Sequence, residues 1–302
     1  MRYVIVTPAY NEEQYICKTI ESVLVQTIKP LLWIIVDDGS TDQTANIIKR
    51  YTVQYSWIRY VYRPKNAGQS YYASNVYAIG EGIKNLRETG YDFIAILDAD
   101  ITLPPNYYAE ISSLFSGEER LGIASGHCMD RVKGELKKGL YDWRSSPKNI
   151  MVFRKECYED IGGFIPLKHA GEDTCACFMA RMKGWKTWAT TDILVIHNKP
   201  MGSGINKSKI KIRFQQGIGE YYLASHPLFI LLKSLRRCIK EPPFLIGGLT
   251  LLAGFVYASF LKEPRQISDE LIHYIRKEQL RRVFHGNRIP AELQASKNNE
   301  DS

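Results

Sequence analysis

The chain has 302 residues, 45% of them hydrophobic and 24% charged, which indicates a folded protein with a sizeable core and excludes a disordered chain. Its 6 cysteines form no Cys-x-x-Cys pair, which argues against a zinc knuckle or a disulfide scaffold and favours a reducing, cytosolic environment. The net charge of +8 lies in the last third, because residues 1–198 carry 23 basic and 23 acidic side chains and residues 199–302 carry 17 and 9. That excess predicts an anionic partner, such as a membrane surface or a phosphate-bearing substrate. No nucleic-acid signature accompanies it, so no nucleic acid is expected.

Strands and helices alternate in the first 100 residues. Short apolar strands are predicted at residues 3–7, 32–36, 58–62 and 93–97. Three helices are predicted between these strands. The first begins near residue 11, the second runs from a cap at Ser40 or Thr41 to about residue 51, and the third covers residues 71–86. The first strand begins so early that no signal peptide is expected. The alternation predicts an α/β fold with a mostly parallel central sheet wound with helices.

The pattern is less regular after residue 105. Helices are predicted at residues 109–115, 155–161 and from about 171 to 182, and strands at 123–126, 149–153, 185–189 and 193–196. Residues 131–148 are rich in Lys, Arg and Gly and are predicted to form a long loop.

The C-terminal third is basic and apolar. Residues 210–222 and 227–239 are predicted to be basic, partly amphipathic helices, and 18 uncharged residues follow at positions 244–261. That length is the lower limit for a membrane span, so a span, a re-entrant or interface-lying segment and a buried core helix all remain open. We predict a catalytic domain at residues 1–200, a helical membrane-associated extension at 201–285 and a disordered tail at 286–302.

Polar residues follow each of the first four strands. Asp98 and Asp100 end the fourth strand two positions apart, so on an extended backbone they point to the same side. Because open α/β sheets bind ligands at the carboxyl ends of their strands, we expect these residues to share one site. Paired carboxylates suit a divalent cation that also holds phosphate oxygens. The other strand-end candidates are Thr7, Pro8, Ala9, Tyr10, Glu12, Asp38, Asn66 and Gly68.

The ordered set of motifs resembles the family 2 glycosyltransferases of GT-A fold over roughly residues 1–200. The motifs are Pro8-Ala9-Tyr10-Asn11-Glu12, Val36-Asp37-Asp38-Gly39-Ser40-Thr41-Asp42, Asn66-Ala67-Gly68, Asp98-Ala99-Asp100, Gly162-Gly163-Phe164 and Glu172-Asp173. The resemblance implies that residues 8–12 and Asp38 hold the nucleotide base and ribose of a nucleotide-diphospho-sugar. It also implies that Asp98 and Asp100 hold the ribose–diphosphate and a magnesium or manganese ion. Asp173 would be the catalytic base, with Glu172 as the alternative.

Several further residues have open interpretations. His197 follows a predicted strand and is either a third metal ligand or a structural histidine. Lys199 and Lys207 are candidates for the diphosphate. Trp143, Arg144, Lys148 and Asn149 either line the acceptor side or pack in the core.

The sequence therefore predicts a metal-dependent inverting glycosyltransferase at the cytoplasmic face of the membrane. Its acceptor would be a saccharide or a polyprenyl-linked sugar in cell-surface polysaccharide assembly, since the last third loosely resembles the tails of such enzymes. Two alternatives are a nucleotidyltransferase and a nucleotide-sugar or glycan-binding module without turnover. The first would need a Gly- and Lys-rich phosphate loop after the first strand, which residues 8–12 do not provide.

Overall fold

The computed structural model describes residues 1–66, 68–86, 90–132, 134–138, 142–199, 209–241 and 243–286. Within them, nine strands form one mixed sheet, and its principal order is β3-β2-β1-β4-β8-β6-β9-β5 with β7 paired to β6. The sheet carries helices on both faces, so the predicted α/β class with a mostly parallel sheet is confirmed.

The first four strands are parallel to one another. They are β1 (Tyr3–Ala9), β2 (Leu32–Asp37), β3 (Ile58–Tyr62) and β4 (Phe93–Ile96). Helices connect them on the way: α1 (Ile16–Leu24), α2 (Thr44–Gln54) and α3 (Tyr71–Lys84). Strands β1 and β2 are buried along their whole length, which is why they read as continuous apolar runs. Their carboxyl ends meet at one edge of the sheet.

The second half of the sheet mixes directions. Its elements are β5 (Ile101–Thr102), α4 (Tyr107–Gly117), β6 (Leu121–Val132), β7 (Glu135–Lys138), a 3₁₀ turn (Lys148–Ile150), β8 (Val152–Arg154), α5 (Lys155–Ile161), α6 (Glu172–Met182) and β9 (Lys186–His197). Strand β8 runs antiparallel to both β4 and β6, while β6 and β9 are parallel.

Each face of the sheet buries its own hydrophobic cluster. Alternate residues of β1 point to opposite faces, as strand geometry requires. Tyr3 and Ile5 pack with Trp33 on one face, whereas Val4 and Val6 pack on the other. This two-faced burial fixes the register of β1 and therefore the position of the loop that follows it.

Four helices follow the sheet. They are α7 (Lys209–Tyr222), α8 (Pro227–Lys240), α9 (Ile246–Leu261) and α10 (Asp269–His285). Over the residues that the structure describes, none of the helices is both long enough and apolar enough to cross a membrane. Arg181 of α6 donates to Glu278 of α10 at 2.8 Å, so the last helix packs on the helix that opens with Glu172 and Asp173.

Four local predictions are corrected. The strand predicted at 149–153 is a 3₁₀ turn, Lys148–Ile150, followed by the short strand β8, Val152–Arg154. The loop predicted at residues 131–148 contains the end of β6 and all of β7, a hairpin arm rich in charged residues and exposed to solvent. The two strands predicted at 185–189 and 193–196 are one strand, β9, which continues through an irregularity in its pairing with β6. Residues 11–15 form a turn rather than helix, and α1 begins at Ile16. The predicted tail lies outside the described residues apart from Gly286.

Candidate active site

A cavity of about 280 Å³ lies at the carboxyl ends of β1, β2 and β4. It is lined by Pro8, Ala9, Tyr10, Asn11, Glu12, Asp38, Lys65, Tyr71, Ser74, Asn75, Asp98, Ala99, Asp100 and Lys199. The cavity therefore gathers side chains from strand ends that are far apart in sequence, as expected for an open α/β sheet.

The loop after β1 is held against the loop after β2. Asn11 has a positive φ of 53°, and its side-chain oxygen accepts the backbone N–H of Thr41 at 2.8 Å. The Ser40 hydroxyl in turn accepts the Asn11 N–H at 3.0 Å. These bonds hold the backbone next to Tyr10. Tyr10 is 36% exposed, and the Lys65 ammonium lies 3.0 Å from the centroid of its ring. An exposed ring in this position is a surface on which a planar base can stack.

Glu12 points into the cavity toward the Asp98–Asp100 pair. One oxygen accepts from Lys199 Nζ at 2.8 Å, and the other, Oε2, is buried without a hydrogen-bond partner among the described residues. Burial, and then repulsion by Asp100, raise the pKa of Glu12 to about 7, although Lys199 opposes the shift. Three carboxyl groups, those of Glu12, Asp98 and Asp100, therefore line this part of the cavity.

The two aspartates after β2 have different environments. Asp37 accepts the Ser40 N–H and the Tyr60 hydroxyl, each at 2.8 Å, and so shapes the turn. Asp38 borders the cavity, where it pairs with Arg63 and accepts the Ser74 hydroxyl at 2.5 Å. Asp38 is therefore the one of the pair that a ligand in the cavity meets.

Asp98 is tied to a lysine that the sequence did not connect with it. Lys148 Nζ lies 3.0 and 3.3 Å from the two Asp98 oxygens and donates to Asn75 at 2.8 Å. Burial alone would lower the pKa of Lys148, but the charges of Asp98 and Glu172 raise it above its usual value. Lys148 thus links the Asp98 side of the cavity to the start of α6.

Strand pairing places His197 beside Asp100. His197 is opposite Ile101 on β5 and opposite Asp130 on β6. Its Nε2 lies 3.3 Å from Asp100 Oδ2 and its Nδ1 2.8 Å from Asp130 Oδ1. Burial opposes protonation of the ring, but the hydrogen bonds that the ring donates to the two carboxylates prevail and raise the pKa of His197 to about 10.

Glu172 and Asp173 open α6. Glu172 is buried, and its Oε2 accepts the Gly171 N–H at 3.0 Å. Burial, and then the charge of Asp173, raise the pKa of Glu172 to about 7 against the opposing charge of Lys148. Asp173 is half-buried, and its Oδ1 accepts the Thr174 N–H at 2.6 Å. Two adjacent carboxylates thus sit in different environments, as acid–base pairs in active sites do.

The side chains around Asp100 fit a divalent cation that a ligand helps to hold. Asp100 Oδ1 is buried without a hydrogen-bond partner among the described residues, which leaves an acceptor available. Carboxylate oxygens and an imidazole are suitable ligands for manganese, and carboxylates for magnesium. Asp98 is paired with Lys148. In the described part of the chain, we find no group of three or more His, Cys, Asp or Glu side chains that could hold a metal by themselves. Phosphate oxygens of a ligand would have to complete the coordination.

The predicted site residues divide into three groups. Seven of them line the cavity: Pro8, Ala9, Tyr10, Glu12, Asp38, Asp98 and Asp100. His197, Glu172 and Asp173 lie outside its lining, although His197 contacts Asp100. Thr7, Asn66 and Gly68 are engaged elsewhere, because the Thr7 hydroxyl accepts the Trp33 indole N–H at 2.9 Å and Asn66 accepts the Gly68 N–H at 3.0 Å.

Sequence reasoning missed four lining residues: Lys65, Tyr71, Ser74 and Asn75. All four follow β3, on the loop or in the first turns of α3. They would have been predicted if the candidates after each strand had included the first turns of the next helix. Lys207 lies outside the described residues.

Comparisons with known proteins give a family match. The model of the family described as glycosyl transferase family 2 matches residues 4–187. The chain is 26% identical over 205 residues to the minor teichoic acid biosynthesis protein GgaA of Bacillus subtilis, a match that covers 66% of this chain and 44% of GgaA. The chain spans less than two thirds of the length of the curated relatives that it matches.

Solved structures share the fold at low sequence identity. S. aureus TarS in complex with UDP-GlcNAc has a TM-score of 0.54 at 15% identity, covering 98% of this chain and 84% of that one. The mannosyltransferase PcManGT from Pyrobaculum calidifontis, in complex with GDP-Man and Mn2+, gives the same score and identity, with 98% and 86% covered. At such identities the likeness concerns the fold alone.

Proposed function

Because the chain belongs to glycosyl transferase family 2 and has the GT-A fold, we propose that it transfers a sugar from a nucleotide-diphospho-sugar to an acceptor hydroxyl. The observation that carries the proposal is the cavity in which the loop after β1 meets Asp98 and Asp100 at the carboxyl ends of parallel strands. The nucleotide-sugar complexes of TarS and PcManGT support a donor of this class.

The donor's nucleotide would occupy this cavity. The exposed Tyr10 ring offers a stacking surface for the base, and Asp38 offers a carboxylate for the edge of the base or the ribose. Lys65 and Lys199 supply positive charge for the diphosphate. Lys199 is held by Glu12 at 2.8 Å, which keeps its ammonium at the cavity rather than in solvent.

Asp100, Asp98 and His197 would hold a magnesium or manganese ion together with the diphosphate. When bound, such an ion stabilises the negative charge that develops on the diphosphate as it leaves. The buried, unpartnered Asp100 Oδ1 supports this assignment, and so does the contact of His197 with Asp100. His197 would have to lose the proton that Asp100 and Asp130 favour, so metal binding should strengthen as the pH rises.

Asp173 is the proposed catalytic base. In an inverting transfer the acceptor oxygen forms a bond to the anomeric carbon, the bond from that carbon to the diphosphate oxygen breaks, and a carboxylate takes the acceptor proton. Asp173 is half-buried and is within reach of solvent, whereas Glu172 is buried and held by the Gly171 N–H. Glu172 would position the start of α6, and Lys148 would carry the electrostatic link to Asp98.

The acceptor is proposed to be a saccharide or a polyprenyl-linked sugar in cell-surface polysaccharide assembly. The similarity to GgaA, a teichoic acid biosynthesis protein, supports that class. All six cysteines are free, which supports a reducing compartment and hence the cytoplasmic face of the membrane.

Donor turnover tests the proposal. The protein is incubated with UDP-, GDP- and dTDP-sugars and manganese, and the released nucleotide is identified. A glycosyltransferase releases the nucleoside diphosphate. A nucleotidyltransferase transfers the nucleoside monophosphate group from the same donor and releases sugar 1-phosphate, and a binding module is stabilised by the nucleotide sugar without releasing anything. Either of the last two results would refute the proposed function.

A further inference from the structure

Helix α8 turns its apolar face outward. Leu228, Leu231, Leu235 and Ile239 are three or four positions apart and therefore share one side of the helix. Their exposed fractions are 36%, 43%, 53% and 75%. A helix on the surface of a water-soluble domain presents such a stripe to the core, so the polarity of α8 is inverted.

The inward face of α8 buries Ile230, Ser234 and Arg237, and its charged groups are paired. Arg237 Nε donates to Glu241 at 2.8 Å and its Nη1 to Gln216 of α7 at 3.0 Å. Lys233 pairs with Glu220, also on α7. Because these charged groups are satisfied between the helices, the packing of α8 does not require its leucine stripe to face the protein.

Helix α9 is uncharged throughout and packs through glycines. A Cβ on Gly254 would lie 2.1 Å from the Phe214 carbonyl oxygen of α7, and one on Gly248 would lie 2.2 Å from the Ser234 carbonyl oxygen of α8. Backbones that approach this closely through glycine are typical of helices packed in lipid. The opposite side of α9 is apolar and exposed, with Leu249 at 62% and Phe260 at 79%.

The two helices pack on each other, and we call their exposed apolar side chains together the α8–α9 face. Of the 24 large hydrophobic side chains found exposed among the described residues, thirteen lie between positions 228 and 261. Arg236, Lys240 and Lys262 are exposed at its borders, and Glu241 is the single acid between positions 221 and 262. A large apolar patch with a basic border has the complementary chemistry to an anionic lipid surface.

We propose that the α8–α9 face is a binding site for anionic phospholipid, by which the protein lies in the plane of the membrane interface. Helix α9 has 16 residues and is therefore about 24 Å long, shorter than a bilayer's hydrocarbon core. A symmetric dimer through the same face would set its basic border against an identical basic border without acids to pair with. The inference goes beyond the proposed transfer, because it does not depend on the residues of the cavity.

The test is co-sedimentation of the full chain with vesicles of phosphatidylcholine, with and without phosphatidylglycerol. The variants are Leu235→Gln combined with Ile239→Gln, and Arg236→Gln combined with Lys240→Gln. Val53→Gln is the control, because Val53 is 88% exposed on α2, outside the α8–α9 face. Circular dichroism and size-exclusion chromatography check the fold and the oligomeric state of each protein.

The wild type and the Val53→Gln control should bind the phosphatidylglycerol vesicles equally. The apolar double variant should bind at least about tenfold more weakly, since the contacts of two exposed aliphatic side chains with lipid are lost. Each basic substitution should weaken binding to the anionic vesicles about fivefold and leave binding to the neutral vesicles unchanged. Nucleotide release from the donor without vesicles should be the same in all variants, which separates this proposal from the proposed function.

Three results would overturn the inference. The wild type could fail to bind vesicles, or the apolar double variant could bind as the wild type does. The third is a wild-type dimer that the apolar double variant dissociates while neither protein binds vesicles, which would assign the face to a second copy of the chain.

Discussion

Replacing Lys148 by methionine should destabilise the protein strongly, because it removes a buried positive charge that interacts with three polar side chains. Lys148 Nζ is 3.0 Å from Asp98 Oδ1 and 2.8 Å from Asn75 Oδ1, and its charge also acts on Glu172. The side chain of Lys148 is 11% exposed and that of Asp98 is 26% exposed. Methionine keeps most of the aliphatic stem but leaves Asp98 without its partner.

The expected cost is about 3 kcal/mol of unfolding free energy. Breaking a buried ion pair from one side costs ~3–5 kcal/mol, and the partial exposure of Asp98 to water places this pair at the lower end. A loss of that size reduces the ratio of folded to unfolded protein by about a hundredfold. Urea unfolding of wild type and variant measures it, provided that the slope with denaturant stays constant.

Two comparisons isolate the ion pair. Lys84→Met removes the exposed pair with Glu81, whose side chains are 64% and 36% exposed, and should cost less than about 1 kcal/mol. Combining Lys148→Met with Asp98→Asn should recover part of the loss, because no uncompensated carboxylate remains. The Lys148–Asp98 pair does not have the proposed role if Lys148→Met loses no more unfolding free energy than Lys84→Met. The same follows if the loss in the double variant equals the sum of the losses in the two single variants.

Other parts of the structure give further predictions. Burial raises the pKa of Glu172 from 4.5 to about 7, so the folded state retains a proton that the unfolded chain releases. The free energy of unfolding, measured with urea, should therefore fall as the pH rises from about 4.5 to about 7, and it should fall less steeply in Glu172→Gln. Arg181→Met should cost about 3 kcal/mol in chemical denaturation, because Arg181 and Glu278 are only 14% and 15% exposed and Glu278 is left unpaired. Gly217→Ala should lower the thermal midpoint, since its Cβ would lie 2.0 Å from a carbonyl oxygen of α9, whereas Gly80→Ala on α3 meets nothing within 4 Å and should raise it.

The parallel half of the fold was predictable because its signals are local. Strands β1 and β2 are apolar runs bounded by turn residues, and their ends at Pro8–Ala9 and Asp37 fall within two residues of the predicted ones. The antiparallel half was harder, since β9 runs through polar residues such as Thr190 and Asp192 that read as a break. Its continuity depends on pairing with β6, a long-range contact that sequence periodicity does not report.

The same contrast holds in the site. The residues that line the cavity from β1 and β4 were predicted, because position after a strand is enough to place them. The partners of those residues were not, since Lys148 reaches Asp98 and Asp130 reaches His197 only through tertiary packing. Helix α10 had no predicted boundaries, yet Arg282 on it pairs with Asp142 at 2.5 Å, so the last helix is tied to the segment that precedes the 3₁₀ turn.

Sugar transfer itself is tested most directly by measuring the nucleoside diphosphate that is released from a nucleotide sugar. The assay compares the wild type with Asp173→Asn and Asp100→Ala, and metal-dependent binding of the donor is measured for the same three proteins. The wild type should release nucleoside diphosphate in the presence of manganese, and both variants should lose transfer. Only Asp100→Ala should also lose metal-dependent binding, because Asp173 acts on the acceptor. Full turnover by Asp173→Asn, or unchanged metal-dependent binding by Asp100→Ala, would contradict the account.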